Sequence, residues 1–190
     1  MQIRPAAEKD VDSIQAVGRS AWRDTYAGLL PAEYIDRALE QWWSRSYLTK
    51  AIQSQQHILL VAEENDKIIG VAESQILDDK SAILWKLYVL KEHRRRGLGT
   101  SLVEESIRRL PSGSETYGTE YNSENKGAAA FYASQGFVFD RTEELDFGGR
   151  RIVSVYVKRA LRADGEGAIA STMVEKQLKH QEVNHAREKH

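Results

Sequence analysis

One stretch constrains the fold of this chain more than any other: residues 83–110, ILWKLYVLKEHRRRGLGTSLVEESIRRL. It opens with an apolar run, Ile83, Leu84, Trp85, Leu87, Tyr88, Val89 and Leu90, that reads as a buried strand. A polar turn follows, and then Leu98, Leu102, Val103, Ile107 and Leu110 recur at helical spacing. The order is strand, loop, helix. Inside the loop Arg94, Gly97 and Gly99 are spaced R-x-x-G-x-G, so main-chain N–H groups with no side chains in the way can face outward at the start of a helix. The helix dipole favours an anion there, and the guest this predicts is a diphosphate.

Two other glycine loops are excluded by their own requirements. A dinucleotide fingerprint needs a third glycine where Leu102 stands, and a P-loop needs Gly-Lys followed by Ser or Thr, which the chain does not contain. What remains is a phosphate nest with Arg94, Arg95 and Arg96 on its lip. It resembles the acetyl-coenzyme A pyrophosphate loop of the GCN5-related N-acetyltransferase (GNAT) family, whose signature is Q/R-x-x-G-x-G/A. A second motif agrees: residues 125–137, NKGAAAFYASQGF, read as a short helix from Asn125 through Tyr132, closed by Gly136, with Phe137 opening a strand. N-x-x-A-x-x-F-Y-x-x-x-G-F is the family's other recurrent signature, and here it stands without a gap.

The resemblance implies an α/β (α+β) architecture: a mixed, mostly antiparallel sheet of about seven strands, splayed between two parallel strands and flanked by helices. The residues bear this out in order. A short strand over 1–5 ends at Pro5, and a helix from Glu8 carries Val11, Ile14, Val17, Ala21, Trp22 and Tyr26 on one face. Gly28 breaks it, Pro31 suits the first turn of a second helix, and a third passes through Tyr47, Leu48 and Ile52. Strands over 57–63 and 67–77 flank the turn Glu64, Asn65, Asp66. With the strand that begins near Ile83 they make an antiparallel meander. A strand over 115–121 follows the 98–110 helix and is expected parallel to its predecessor. Strands over 137–145 and 150–159 close the fold as a hairpin.

Composition sets outer limits. At 190 residues there is room for one domain with a sizeable core, read here as 1–160, with 161–190 as a charged tail, helical or disordered, or docking on a second copy in a homodimer. The net charge of −1 gives no electrostatic case for nucleic acid or an anionic membrane. With no cysteine there is no disulfide, thiolate metal site or cysteine nucleophile. No apolar run is long enough to cross a bilayer and the first residues lack an apolar signal core, so the expected location is cytoplasmic. His180, His185 and His190 are spaced by five, which puts successive rings on different helix faces, and no metal is expected.

If the nest holds acetyl-coenzyme A as cosubstrate, the reaction is attack of an amine on a thioester. The enzyme then needs a neutral amine, a donor for the oxyanion and a proton for the thiolate. The resemblance implies cofactor contacts from Leu87, Tyr88, Val89, Arg94, Arg95, Arg96, Gly97, Leu98, Gly99, Thr100, Asn125 and Tyr132. A main-chain N–H near residues 87–89 polarises the carbonyl, and Tyr132 is the proton donor. For the general base Glu73, Glu120 and Glu124 all lie on or just after strands, and Glu120 is favoured. The resemblance also sets the first helical segment beside the acceptor, which makes Trp22, Tyr26 and Tyr34 substrate-binding candidates. Residues 21–36 resemble the PaiA-like polyamine acetyltransferase subgroup, and Asp24, Glu33, Asp36 and Glu40 are placed to attract a polycation. Polyamine-like small amines lead. Protein or peptide N-termini, amino acids and aminoglycosides stay open, as does a regulatory module that binds acyl-coenzyme A without turnover.

Overall fold

The computed structural model describes residues 1–161. The three tail histidines and the rest of the tail from residue 162 lie outside the described residues. In chain order the elements are β1 (Gln2–Pro5), a 3₁₀ turn (Glu8–Asp10), α1 (Val11–Tyr26), α2 (Ala32–Trp42), α3 (Arg45–Gln53), β2 (His57–Glu64), β3 (Lys67–Ile76) and β4 (Ser81–Val89). A second 3₁₀ turn (Lys91–His93), α4 (Leu98–Arg108), β5 (Thr116–Asn122), α5 (Lys126–Ser134), β6 (Val138–Phe147) and β7 (Arg150–Ala160) complete them.

One seven-stranded sheet runs in the order β1-β2-β3-β4-β5-β7-β6. Every pairing is antiparallel except β4 with β5, which are joined through α4. Both faces are covered. Along β2, Leu59 and Val61 point to the side of α1, α2 and α3, where Val11, Ile14, Val17, Ile35, Leu39, Trp43 and Leu48 are buried. Leu60 and Ala62 point to the other side, onto Leu98, Leu102 and Val103 of α4 and Tyr132 of α5. Period-two alternation with both sides apolar is the pattern of a strand covered on both faces.

Two turns differ from the sequence expectation, each for a local reason. The first hairpin turn is two residues, since Asn65 (φ 50°) and Asp66 (φ 60°) both adopt the left-handed conformation that matches strand twist and leaves Glu64 in the ladder. The last hairpin tightens in the same way to Gly148 and Gly149, so β6 runs on to Phe147. In the middle of α1, Gly18 is there for space. A Cβ at that position would stand 2.1 Å from the ring of Trp43, so the missing side chain is what lets Trp43 lie against the helix.

Candidate active site

β4 and β5 are paired only through residues 81–84 and 116–119, after which the two strands separate. β3 adds a second irregularity: Glu73 pairs with Lys86 but Ser74 with Leu84, so Trp85 is the extra residue of a β-bulge. Between the separated ends opens a cleft of about 570 Å³. Its wall contains Leu87, Tyr88, Val89, Arg94, Arg95, Gly97, Leu98, Gly99, Thr100, Asn125 and Tyr132. The structure therefore gathers the residues named for the cofactor, Arg96 excepted. Arg96 lies between two left-handed residues, Arg95 (φ 59°) and Gly97 (φ 78°), and is exposed outside that wall.

The main chain is aimed usefully here. The Leu90 N–H donates to the Ile69 carbonyl at 2.9 Å, and bonds in an antiparallel ladder alternate. Tyr88 is therefore turned to β3, while Leu87 and Val89 direct their amides to the side that β5 has vacated. The Arg94 Nε agrees, donating to the outward Val89 carbonyl at 2.8 Å. Of the three positions expected to offer an N–H to the thioester, Leu87 and Val89 have it free, and Tyr88 does not. The loop fits a diphosphate by a separate test: a Cβ at Gly97 would meet nothing within 4 Å, so the space above the nest is open, and it lies at the start of α4. Asn125 has a structural duty as well, since its side chain accepts the Ala128 N–H at 3.0 Å and caps α5.

Tyr132 comes from α5, packed on Tyr121, Phe131 and Phe137, and is 8% exposed. Burial pushes its phenol above the ordinary range, with the Thr119 hydroxyl beside it working the other way. The phenol is held protonated, as a proton donor must be.

On the α1 side of β4 lies a second cleft of about 410 Å³, whose wall includes Trp22, Tyr26, Tyr34, Trp42, Trp43, Tyr47 and Lys86. Tyr26, Trp85, Tyr88, Glu120 and Tyr121 belong to both clefts and form the passage between them. Across it the Tyr26 and Tyr88 hydroxyls stand 3.4 Å apart. Burial raises both phenols above their usual range, and the cleft stays uncharged on that side.

The three carboxylates weighed as base separate cleanly. Glu73 has no exposed surface and is saturated. Its Oε1 accepts from Tyr47 Oη at 2.7 Å and lies 2.8 Å from His57 Nδ1, and its Oε2 takes the Lys86 ammonium. Burial alone would push this carboxyl up, but the hydrogen bonds from His57, Lys86 and Tyr47 and the Lys86 charge hold it below its usual range. A carboxylate so engaged is no base for a substrate. Glu124 is mostly exposed, 4.0 Å from Arg150, and outside both clefts. Glu120 alone of the three lies at the passage.

The profile of the Acetyltransferase (GNAT) family matches residues 15–137. This chain belongs to the GNAT family. It is an acyltransferase by that membership, and its sheet is the GNAT fold. Among curated proteins it is similar to a spermidine N(1)-acetyltransferase of Thermoplasma acidophilum, with 26% identity over 152 residues that span 77% of this chain and 94% of the relative. Among solved structures it resembles the PaiA N-acetyltransferase of the same organism in complex with coenzyme A, at TM-score 0.72 and 24% identity over 84% of this chain and 98% of that one. It also resembles the ribosomal-protein-S18-alanine N-acetyltransferase of Escherichia coli, at TM-score 0.66 and 21% identity over 88% and 98%. Relatives of one fold thus carry names for spermidine and for an alanine of a ribosomal protein. The acceptor side of this GNAT protein has to be read from its own residues.

Several of those residues escape a reading of sequence alone. Trp85 enters both clefts because of a bulge that leaves no pattern in the chain. Tyr121 and Lys86 look like ordinary strand residues, and nothing in spacing ties Lys86 to Tyr47 and His57.

Proposed function

We propose that this protein transfers the acetyl group of acetyl-coenzyme A to the primary amine of a small molecule, by direct attack in a ternary complex. The observation that carries the reading is the passage: one cleft with a diphosphate nest and two free strand amides opens into a second, aromatic cleft, with Glu120 where they join. In this reading Glu120 takes the proton of the incoming ammonium through water, and the Leu87 and Val89 amides face the developing oxyanion. A C–N bond forms as the C–S bond breaks, the Tyr132 phenol gives its proton to the departing sulfur, and the second proton shed by the acetylated nitrogen restores the phenol. Arg95, Gly97, Leu98, Gly99 and Thr100 hold the diphosphate through the nest, and Trp22, Tyr26 and Tyr34 border the acceptor.

The finer version that the name of the Thermoplasma relative suggests is a polyamine. The acidic residues of the first helices support it less than their sequence promised. Asp24 is engaged by Arg94 at 2.6 Å, Glu33 by Arg37 at 2.7 Å and Asp36 by Arg23 at 3.3 Å.

The test is incubation with acetyl-coenzyme A and a panel of monoamines, polyamines, amino acids and peptides, following thiol release and product mass. Acetylation of small amines but not peptides is expected. Tight cofactor binding with no turnover on any amine would point instead to a regulatory acyl-coenzyme A module, and turnover on peptides alone to a protein acetyltransferase.

A further inference from the structure

The acceptor cleft already contains a cation. Lys86, 4% exposed, lines it with its ammonium 4.2 Å from the ring centre of Tyr47 and 5.4 Å from that of Trp43. Two aromatic faces that would otherwise welcome an ammonium from outside are thus occupied by one of the protein's own. Among the described residues the ammonium is hydrogen-bonded to Glu73, which uses one of its three N–H donors. Glu73 is hydrogen-bonded at the same time to Tyr47 and His57, so its acceptor capacity is largely used.

A second observation points the same way. Trp22 and Trp43 line this cleft, are 7% and 1% exposed, and carry buried indole N–H groups with no well-directed hydrogen-bond partner among the described residues, the Trp22 N–H lying beside the Tyr88 hydroxyl. A buried donor left without an acceptor is destabilising, so a site with two of them, beside an ammonium with N–H groups to spare, is short of acceptors.

We infer that Lys86, Trp22 and Trp43 select the acceptor at its far end: this cleft takes a primary amine whose remote part presents a neutral oxygen, a hydroxyl or amide carbonyl, and disfavours a second ammonium. The inference rests on the transferase reading for the near end of the amine. For the far end it departs from what the name of the Thermoplasma relative would bring. A polyamine entering by one end sets its next ammonium toward a cleft that holds a fixed positive charge, and like charges brought together out of water repel strongly. An oxygen at the same distance finds donors and no repulsion.

The experiment compares length-matched amines, 5-aminopentanol, 5-aminopentanamide and 1,5-diaminopentane, with spermidine alongside, on the full chain. The wild type should use the oxygen-terminated amines at least about tenfold more efficiently, by kcat/KM, than either polyamine. Lys86→Gln should shrink that ratio toward one, mostly through KM, with acetyl-coenzyme A affinity unchanged. The conservative Lys86→Arg should keep it. Trp43→Phe should weaken the oxygen-terminated amines alone. Should Lys86→Gln not fold, the wild-type ratio still decides. Calorimetry of the same amines with the coenzyme A-loaded protein reads the cleft without turnover, so absent turnover overturns only the transferase reading. Equal or better binding of the diamine in that measurement overturns the inference.

Discussion

The two clefts share a wall and are built by opposite means. The cofactor side draws half of its lining residues from one contiguous stretch, 87–100, and is closed by α5. Its working parts are free amides and the absence of side chains at Gly97 and Gly99. The acceptor side is made of side chains drawn from α1, α2, α3, β3, β4, β5 and β7. A site of the first kind can be kept through wide sequence change, because many residues supply the same N–H. A site of the second kind changes its chemistry with each substitution. This is why relatives at 18–26% identity share the fold while the acceptor has to be argued anew.

The largest expected effect lies where the clefts meet. Tyr132→Phe removes one hydroxyl and keeps the ring on Tyr121, Phe131 and Phe137. Cofactor affinity should barely move, while kcat at saturating acetyl-coenzyme A should fall about a hundred- to ten-thousand-fold. A variant with full turnover would leave Tyr132 to the packing of α5 and make the cofactor side a binding site only.

The next effect belongs to the acceptor side and is one of stability. Glu73→Gln leaves Lys86 buried without its anion, which should cost about 3–5 kcal/mol by chemical denaturation. The wild type should show the same dependence in its pH profile. The folded-state pKa of Glu73 is depressed from 4.5, so its contribution is present above that value and is lost as pH falls through the lower folded value. Glu73→Gln should flatten that acid limb of the stability curve. An acid limb unchanged in the variant would mean the carboxylate is not held ionised by its partners.

The contrast also explains what was legible in the chain. The nest was readable because its chemistry requires glycines at fixed spacing within six residues, Arg94 to Gly99. The α5 motif was readable because cap, apolar face and closing glycine lie on one short helix. The meander and the parallel β4–β5 pair followed from loop lengths and from the helix between. By contrast, Glu73, Lys86, His57 and Tyr47 meet across 13, 16 and 26 residues of separation. A lone Glu on a strand looks the same whether it ends buried and saturated or, like Glu120, at the mouth of a cleft. Glu120 could be singled out only because it lies at the end of the strand expected to face the cofactor gap. The bulge at Trp85, a matter of register between two strands, had no signature at all.

Two glycines can separate the halves experimentally. Gly97→Val puts a β-branched residue at φ 78° and a side chain above the nest, for about 1–3 kcal/mol of backbone strain. Acetyl-coenzyme A affinity measured by calorimetry should be nearly lost, with intrinsic fluorescence of the acceptor tryptophans unchanged. Gly18→Ala should do the reverse. A methyl 2.1 Å from the Trp43 ring forces that ring to shift, costing about 1–3 kcal/mol and altering amine selectivity while cofactor binding survives. If both variants damaged both properties alike, the two clefts would be one cooperative unit and the comparison between them would fail.

The smallest effect concerns the strut between the halves. Arg94, the first residue of the nest motif, has two of its donors committed within the protein. Nε is on the Val89 carbonyl, and Nη1 is 2.6 Å from Asp24 of α1, which Lys91 also approaches at 3.5 Å. With Asp24 and Arg94 about a third exposed, at 29% and 34%, the pair should contribute no more than about 1 kcal/mol, less in salt. Its position is what gives it leverage. Thr25 and Tyr26, the next two residues, line the cofactor cleft, and Tyr26 reaches Tyr88 at the passage. If Arg94 serves as a strut, Asp24→Asn frees the end of α1. The KM for the amine should then rise several-fold, with the Kd for acetyl-coenzyme A unchanged and the melting temperature almost so. If Arg94 is instead a diphosphate ligand that Asp24 restrains, the same substitution releases the guanidinium: cofactor binding tightens and the amine KM stays put. Measuring both constants at low and at high salt separates the two. The committed Nε and Nη1 lead us to expect the first outcome, in which the cofactor nest holds its phosphates without the side chain that begins its own motif.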